Sequence, residues 1–125
     1  MKDSLAPGIS HSRDVLTTPE MGVSHLGDGP AVLSTPSMLL LMEQTCLEAT
    51  LPHLDEGESN VGTMVHIWHK AAAPIGETVQ CSCKMLERDR RRMLFEVRVT
   101  MGDTLIGEGT HERFVVDVSR FRKDG

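Results

Sequence analysis

The sequence predicts an α+β fold, with one curved antiparallel β-sheet whose inner face is covered by a single long central helix. Three observations carry this expectation. Only Pro36 to about Leu51 combines the apolar content with the start and stop signals of a long helix. Four stretches beyond Asn60 carry β-branched or alternating strand patterns. The turns joining those strands are short, and short turns demand antiparallel neighbours because a parallel pair needs a crossover of a dozen or more residues. At 125 residues the chain has the size of one domain, 1–125, without need of disulfides or metals to complete its core.

Taken in order, residues 1 to 9 read as a loose arm. His11 to Thr18 then has the β-branched character of a first strand, closed by Pro19. Met21 to Ser34 holds Gly22, Gly27, Gly29 and Pro30 without a strong period, which predicts a covering loop. Thr35 offers an N-cap hydroxyl, Pro36 suits the first helical position, and Pro52 and Gly57 end the helix. Asp55 to Ser59 is a polar connection. The second strand, Val61 to Ala72, sets Val61, Thr63, Val65, Ile67 and His69 on one face. After the Pro74 to Gly76 turn, Val79, Cys81, Cys83 and Met85 share a face of the third strand. The fourth alternates Met93, Phe95, Val97, Val99 and Met101 against Leu94, Glu96, Arg98 and Thr100. The last, Thr104 to Val118, is bent by Gly107 and Gly109.

Composition excludes several function classes. Thirteen Lys and Arg against eighteen Asp and Glu give a net charge of −5, which repels nucleic-acid and anionic-membrane partners. The basic run Arg88 to Arg92, broken by Asp89, reads as a solvated turn. Three cysteines cannot all pair within one chain and no secretory signal precedes them, so a reduced, cytoplasmic protein is expected. The apolar run Met38 to Met42 is far short of the roughly 20 residues of a spanning helix. Cys81 and Cys83 form only a CxC, and the HIWH spacing puts His66 and His69 on opposite faces of a strand, so no zinc site is predicted. A GxSxG elbow, a phosphate-cradling loop and a dinucleotide fingerprint are all lacking.

Glu43 is the residue that asks for an explanation. Its helical neighbours three and four positions away are Leu39, Leu40, Cys46 and Leu47, all apolar, whereas Glu48 lies in an ordinary solvated setting. Glu43 is therefore expected to face the sheet or a subunit interface, where an unpaired carboxylate costs several kcal/mol or takes up a proton. Pattern alone leaves two readings open, a catalytic carboxylate and a structural ion pair. His69 ends its strand on the face that meets the helix; it reads as a satisfied core histidine or as a partner for Glu43. Thr35 is a cap or a site residue, but eight helical residues put it about 12 Å from Glu43, too far for contact along one straight helix. Gly62 eases a bend or lets a ligand approach the backbone. Arg113, sharing a face with His111, is an anion clamp or one half of a cross-strand ion pair.

Three segments together, LSTPSMLLLMEQTCLEATLPHL, EGESNVGTMVHIWHKAAAPIGETV and IGEGTHERFVV, resemble the hotdog-fold acyl-CoA thioesterases, specifically the branch that includes fluoroacetyl-CoA thioesterase. The likeness runs from Val32 to Val116. It implies a hotdog fold and hydrolysis of an acyl-CoA thioester, with Thr35, Glu43 and His69 as the catalytic set. It also implies that Gly62 and Arg113 line the acyl or thioester site, and that a homodimer builds active sites at its interface. No cofactor is implied beyond the CoA carried by the substrate. The chain departs from the branch in having no Phe, Tyr or Trp before Trp68, where fluoroacetyl-specific members resemble one another in having aromatic cover residues. A different short or medium acyl group is therefore expected. Glu43 would act as nucleophile or as the base for water, His69 would shuttle protons, Thr35 would position the carbonyl, and amides at the helix start would hold an oxyanion. Two rival readings are a non-catalytic module binding acyl-CoA or another small hydrophobic ligand, and a hotdog enoyl-CoA hydratase or dehydratase.

Overall fold

The computed structural model describes residues 1–23, 25 and 27–122. Strand β1 is Ser10–Leu16, and a one-turn 3-10 helix, Pro19–Met21, leads to the short pair β2, Gly22–Val23, and β3, Val32–Leu33. Helix α1 follows as Thr35–Thr50, then a second 3-10 turn, Leu51–His53. Four long strands come next: β4 Glu58–His69, β5 Thr78–Asp89, β6 Arg92–Met101 and β7 Thr104–Asp117. A short helix α2, Val118–Arg122, ends the described chain. The main sheet has the order β1-β5-β6-β7-β4 with every pairing antiparallel, so β1 and β4 are its two edges.

Period-2 patterning sets the inner face. Val79, Cys81, Cys83 and Met85 of β5 and Met93, Phe95, Val97 and Val99 of β6 are all buried, as their alternation predicts. Helix α1 lays Met38, Leu41, Met42, Thr45, Cys46, Ala49 and Thr50 onto this face, a stripe with the three- and four-residue spacing of a helix side. It packs chiefly on β5 and β1 and less closely on β4, which leaves the β4 side of the inner face open.

Two glycines of β7 permit close packing over that face. A Cβ on Gly107 would drive into the Met38 thioether and lie 2.9 Å from the Trp68 carbonyl. One on Gly109 would collide with the backbone of His66 and Ile67 across the ladder. Glycine is the residue these approaches require.

Several expectations need correction. The arm of residues 1 to 9 is not loose: Leu5 is fully buried, its carbonyl accepts from Arg88 Nη1 at 2.8 Å, and Gly8 N–H donates to Met85 O. Met1, Leu5 and Ile9 are scattered among Lys2, Asp3, Ser4, Pro7 and Gly8, a spacing too short and too broken to read as an element. The covering loop is pinned at its base by the β2–β3 pair and by Ile75 N–H donating to Ala31 O. β4 starts three residues earlier than expected and stops at His69, because Lys70 and Ala71 N–H both turn to Ile106 O. Its inward set also changes partway. A β-bulge between Gly62 and Met64 inserts a residue, so Asn60 and Gly62 face inward before it and Val65, Ile67 and His69 after it, while Val61 points outward beside Phe114.

Candidate functional site

The five singled-out residues fall into two groups on the open side of the inner face. The first is at the start of α1. Thr35 was expected to cap this helix, but Ser34 does so: its Oγ accepts from Ser37 N–H at 3.2 Å, and Thr35 and Pro36 are the first two helical residues. Proline therefore sits one place further into the helix than its commonest position, which shifts the cap back by one. Relieved of capping, the Thr35 hydroxyl lies 2.8 Å from His69 Nδ1. His69 reaches it because the bulge has turned the end of β4 inward.

An open pocket of about 370 Å³ surrounds this pair, lined by Val32, Leu33, Ala71 and Ala72 together with Thr35, His69 and Lys70. Amides for an oxyanion are fewer than the sequence suggests. Ser34 N–H goes to Met21 O, Pro36 has none, and Ser37 N–H goes to the cap, so of the first four amides only that of Thr35 is not engaged by a described residue.

Glu43 anchors the second group. It borders the stripe that α1 lays on the sheet, next to Cys46 and Thr50, on the flank that carries Leu39, the 54% exposed Leu40, and Leu47. Its carboxylate is 38% exposed, and Oε2 stands 3.7 Å from Arg113 Nη1. Arg113 itself is 4% exposed. Its Nε donates to Asn60 Oδ1, its Nη2 donates to the Asn60 carbonyl at 3.1 Å, and Nη1 lies 3.1 Å from His111 Nε2. Asn60 is held in turn by Thr50 Oγ1 at 2.8 Å. Burial lowers the Arg113 pKa from the usual guanidinium range, opposed by the nearby Cys46 and Glu43. Burial also holds His111 below the ordinary 6.5, and the Arg113 charge adds to that; the Met64 carbonyl, Glu43 and Glu112 act the other way.

Gly62 sits where these side chains converge. A Cβ there would lie 2.9 Å from His111 Cε1 and 3.0 Å from Glu43 Oε2. The bare glycine therefore gives the carboxylate its place. His111 and Asn60 were not singled out as site residues. The alternation of THER does put His111 on the Arg113 face, so a signal for it existed; Asn60 had none beyond its polarity at a strand start.

Within one chain the groups stay apart. Thr35 and Glu43 are about 12 Å apart along the helix, and Gly62 and His69 about 20 Å apart along β4. The structure joins Thr35 to His69, and Glu43 to Gly62 and Arg113, but does not join the two sets.

A larger groove, about 820 Å³, lies on the outer face of the sheet among Trp68, Lys84, Leu86 and Arg98. Two of its cations share one carboxylate, with Lys70 at 2.6 Å and Arg98 at 3.8 Å from Glu108. Among the described residues no three His, Cys, Asp or Glu side chains are grouped to hold a metal, and no helix is long and apolar enough to cross a membrane.

Residues 11–119 match the family described as fluoroacetyl-CoA-specific thioesterase. The fluoroacetyl-CoA thioesterase of Streptantibioticus cattleyicolor is 34% identical over 128 residues, covering 97% of this chain and 92% of that protein. The solved fluoroacetyl-CoA thioesterase FlK superposes with a TM-score of 0.86 at 33% identity, over 94% of this chain and 93% of its own. A hypothetical protein of Thermus thermophilus, a thioesterase superfamily member, gives a TM-score of 0.85 at 27% identity over 95% of this chain and 89% of its own.

Proposed function

Because this chain belongs to the fluoroacetyl-CoA-specific thioesterase family, and is thus a hotdog-fold thioester hydrolase of acyl-CoA, we propose that it works as a homodimer whose active sites each join Thr35 and His69 of one protomer to Glu43 of the other. One observation carries the reading. Glu43 lies on the open, apolar side of α1 against a bare glycine, with Arg113 behind it, and neither Thr35 nor His69 of its own chain reaches it.

The unpaired edge of β4 offers the means of assembly. Antiparallel pairing of β4 with its symmetry mate, about an axis midway between Gly62 and His69, sets His69 of one protomer opposite Gly62 and Glu43 of the other. The same pairing covers Leu40 and Val65, which stand 54% and 43% exposed in the single chain.

In the reaction the acyl carbonyl lies between the two groups. Glu43, held beside the Arg113 guanidinium, attacks the carbonyl carbon or takes a proton from the attacking water. The C–S bond breaks, the water oxygen ends on the acyl carbon, and His69 delivers the proton that leaves CoA as the free thiol. Thr35 positions the carbonyl oxygen through its hydroxyl and its amide. The scheme calls for no metal or cofactor other than the CoA of the substrate. Three free, buried thiols suit a reducing compartment, and we place the protein in the cytoplasm.

The aliphatic lining by Val32, Leu33, Ala71 and Ala72 suits a short or medium alkyl acyl group rather than fluoroacetyl. Thiol release from acetyl-, butyryl-, hexanoyl- and fluoroacetyl-CoA tests this. Butyryl- or hexanoyl-CoA should show the highest kcat/KM, and a preference for fluoroacetyl-CoA overturns the specificity. Hydration of an enoyl-CoA without thiol release, or tight binding without turnover, would replace hydrolysis with one of the rival readings.

A further inference from the structure

We propose that His111 is a positioning residue for this reaction: the bare Nε2 of its neutral ring accepts from Arg113 and so aims that guanidinium at the Glu43 carboxylate. The proposal rests on the reading of Glu43 given above.

The geometry fixes the tautomer. His111 Nδ1 lies 2.8 Å from the carbonyl oxygen of Met64, which can only accept, so Nδ1 carries the proton. A neutral ring then presents Nε2 as an acceptor, and Arg113 Nη1, which can only donate, stands 3.1 Å away. The same nitrogen faces Glu43 Oε2 at 3.7 Å. The far side of the guanidinium is tied to Asn60 through Nε and Nη2, and Asn60 to Thr50, whose hydroxyl donates to Leu47 O at 2.7 Å. Without His111 the plane is held on that side only, and Nη1 is free to swing from the carboxylate. Gly62 brings the imidazole edge and the carboxylate onto one spot, 2.9 Å and 3.0 Å from where a Cβ would stand.

The charged and titratable groups around His111 are Arg113 and Glu112 from its own strand and Glu43 from α1, with Cys46 of α1 beyond Arg113. From β4 the inward neighbours are Asn60, Gly62 and Val65, and from β6 Phe95, none of which titrates. A proton added to Nε2 turns the acceptor into a cation facing a cation. Arg113 then loses its aim, and hydrolysis acquires an acidic limb that belongs to His111.

The substitution pair His111→Asn and His111→Gln separates positioning from structure. Asparagine keeps a donor near the Met64 carbonyl but leaves nothing to accept from Arg113, whereas glutamine carries an acceptor out to the ε position. His111→Asn should lose about 10- to 100-fold in kcat with KM little changed. His111→Gln should keep most of the activity and lose the acidic limb of the native pH profile. An equally disabled His111→Gln, an unchanged acidic limb in it, or a fully active His111→Asn overturns the proposal.

Nitrogen NMR of the native imidazole reads the contact without activity. The expected signature is a protonated Nδ1 and a bare Nε2 that resists acid below the ordinary histidine range. A proton on Nε2 at neutral pH overturns the proposal even if both variants misfold. Failure of the native protein to release thiol from any acyl-CoA, or indifference of hydrolysis to Glu43→Gln, strikes the functional reading instead, and the nitrogen signature still decides the His111 contact.

Discussion

Ser34 and Thr35 are adjacent hydroxyls with separate tasks. Ser34→Ala removes the cap bond to Ser37 and should cost about 1 kcal/mol of stability with little change in turnover. Thr35→Ala should leave the thermal midpoint almost unmoved and slow thiol release, because its hydroxyl bonds His69 and not the helix it begins. A reversal of these two effects would return Thr35 to the role of cap. Glu43→Gln should lower kcat by at least about 100-fold on any acyl-CoA that is turned over. Mass spectrometry of the native protein quenched during turnover then distinguishes its two chemical roles, since only a nucleophilic Glu43 carries the acyl group, as a mixed anhydride. His111 adds a pH dependence to stability. Its native pKa lies below the ordinary 6.5, so below that pH the unfolded chain takes up a proton that the native chain refuses. Its contribution is complete above pH 6.5 and is lost as pH falls. Urea midpoints between pH 7 and 5 should therefore decline less in His111→Gln than in the native protein.

The elements were legible where a period ran uninterrupted. Alternation in β5 and β6 identified the buried face residue by residue, and the apolar run with its Thr-Pro start located α1. Legibility failed where geometry depends on one inserted or displaced residue. The bulge at Gly62 to Met64 reverses the facing of Val61 without any change in composition, and a cap one residue earlier than the hydroxyl beside Pro36 looks the same in sequence. The pairing of β4 with β7 depends on glycine: Gly109→Ala should cost about 1–3 kcal/mol, since its methyl meets backbone rather than a movable side chain. Denaturant unfolding measures this, and a neutral result would show that β4 can shift sideways. The β5–β6 turn carries the one strained non-glycine among the described residues, Arg90 at φ 57°. Arg90→Gly should raise stability by roughly 0.5–1 kcal/mol, because glycine adopts that conformation without steric cost.

At the scale of the whole molecule, α1 is apolar on two sides, and the second side explains Glu43. The sequence showed four apolar neighbours around the carboxylate but not that they divide between two sides, with Cys46 in the buried stripe and Leu40 turned outward. It also showed that Thr35 and Glu43 cannot touch, and the fold keeps them apart. Which chain completes the site lies outside anything a single strand pattern encodes, since partner geometry depends on an edge that only the finished sheet reveals. Sedimentation should give a dimer, and Leu40→Lys or Val65→Lys should weaken it and reduce hydrolysis together. Mixing inactive Glu43→Gln and His69→Ala proteins should restore about a quarter of native activity, one intact site in each mixed dimer of a random population. No recovery after verified subunit exchange would put Thr35, His69 and Glu43 of one chain in the same site.

Cys46, Cys81 and Cys83 lie at 0%, 0% and 4% exposure, and burial pushes the Cys81 thiol up to about 11. The contact with Cys46 holds Cys83 below the ordinary thiol range, so it is burial that shields all three, and native protein should react far more slowly with a chromogenic thiol reagent than released CoA does. An unfolded chain, by contrast, releases three equivalents of its own. Every inactive variant thus carries an internal gauge of its folded fraction, read in the same cuvette before substrate is added.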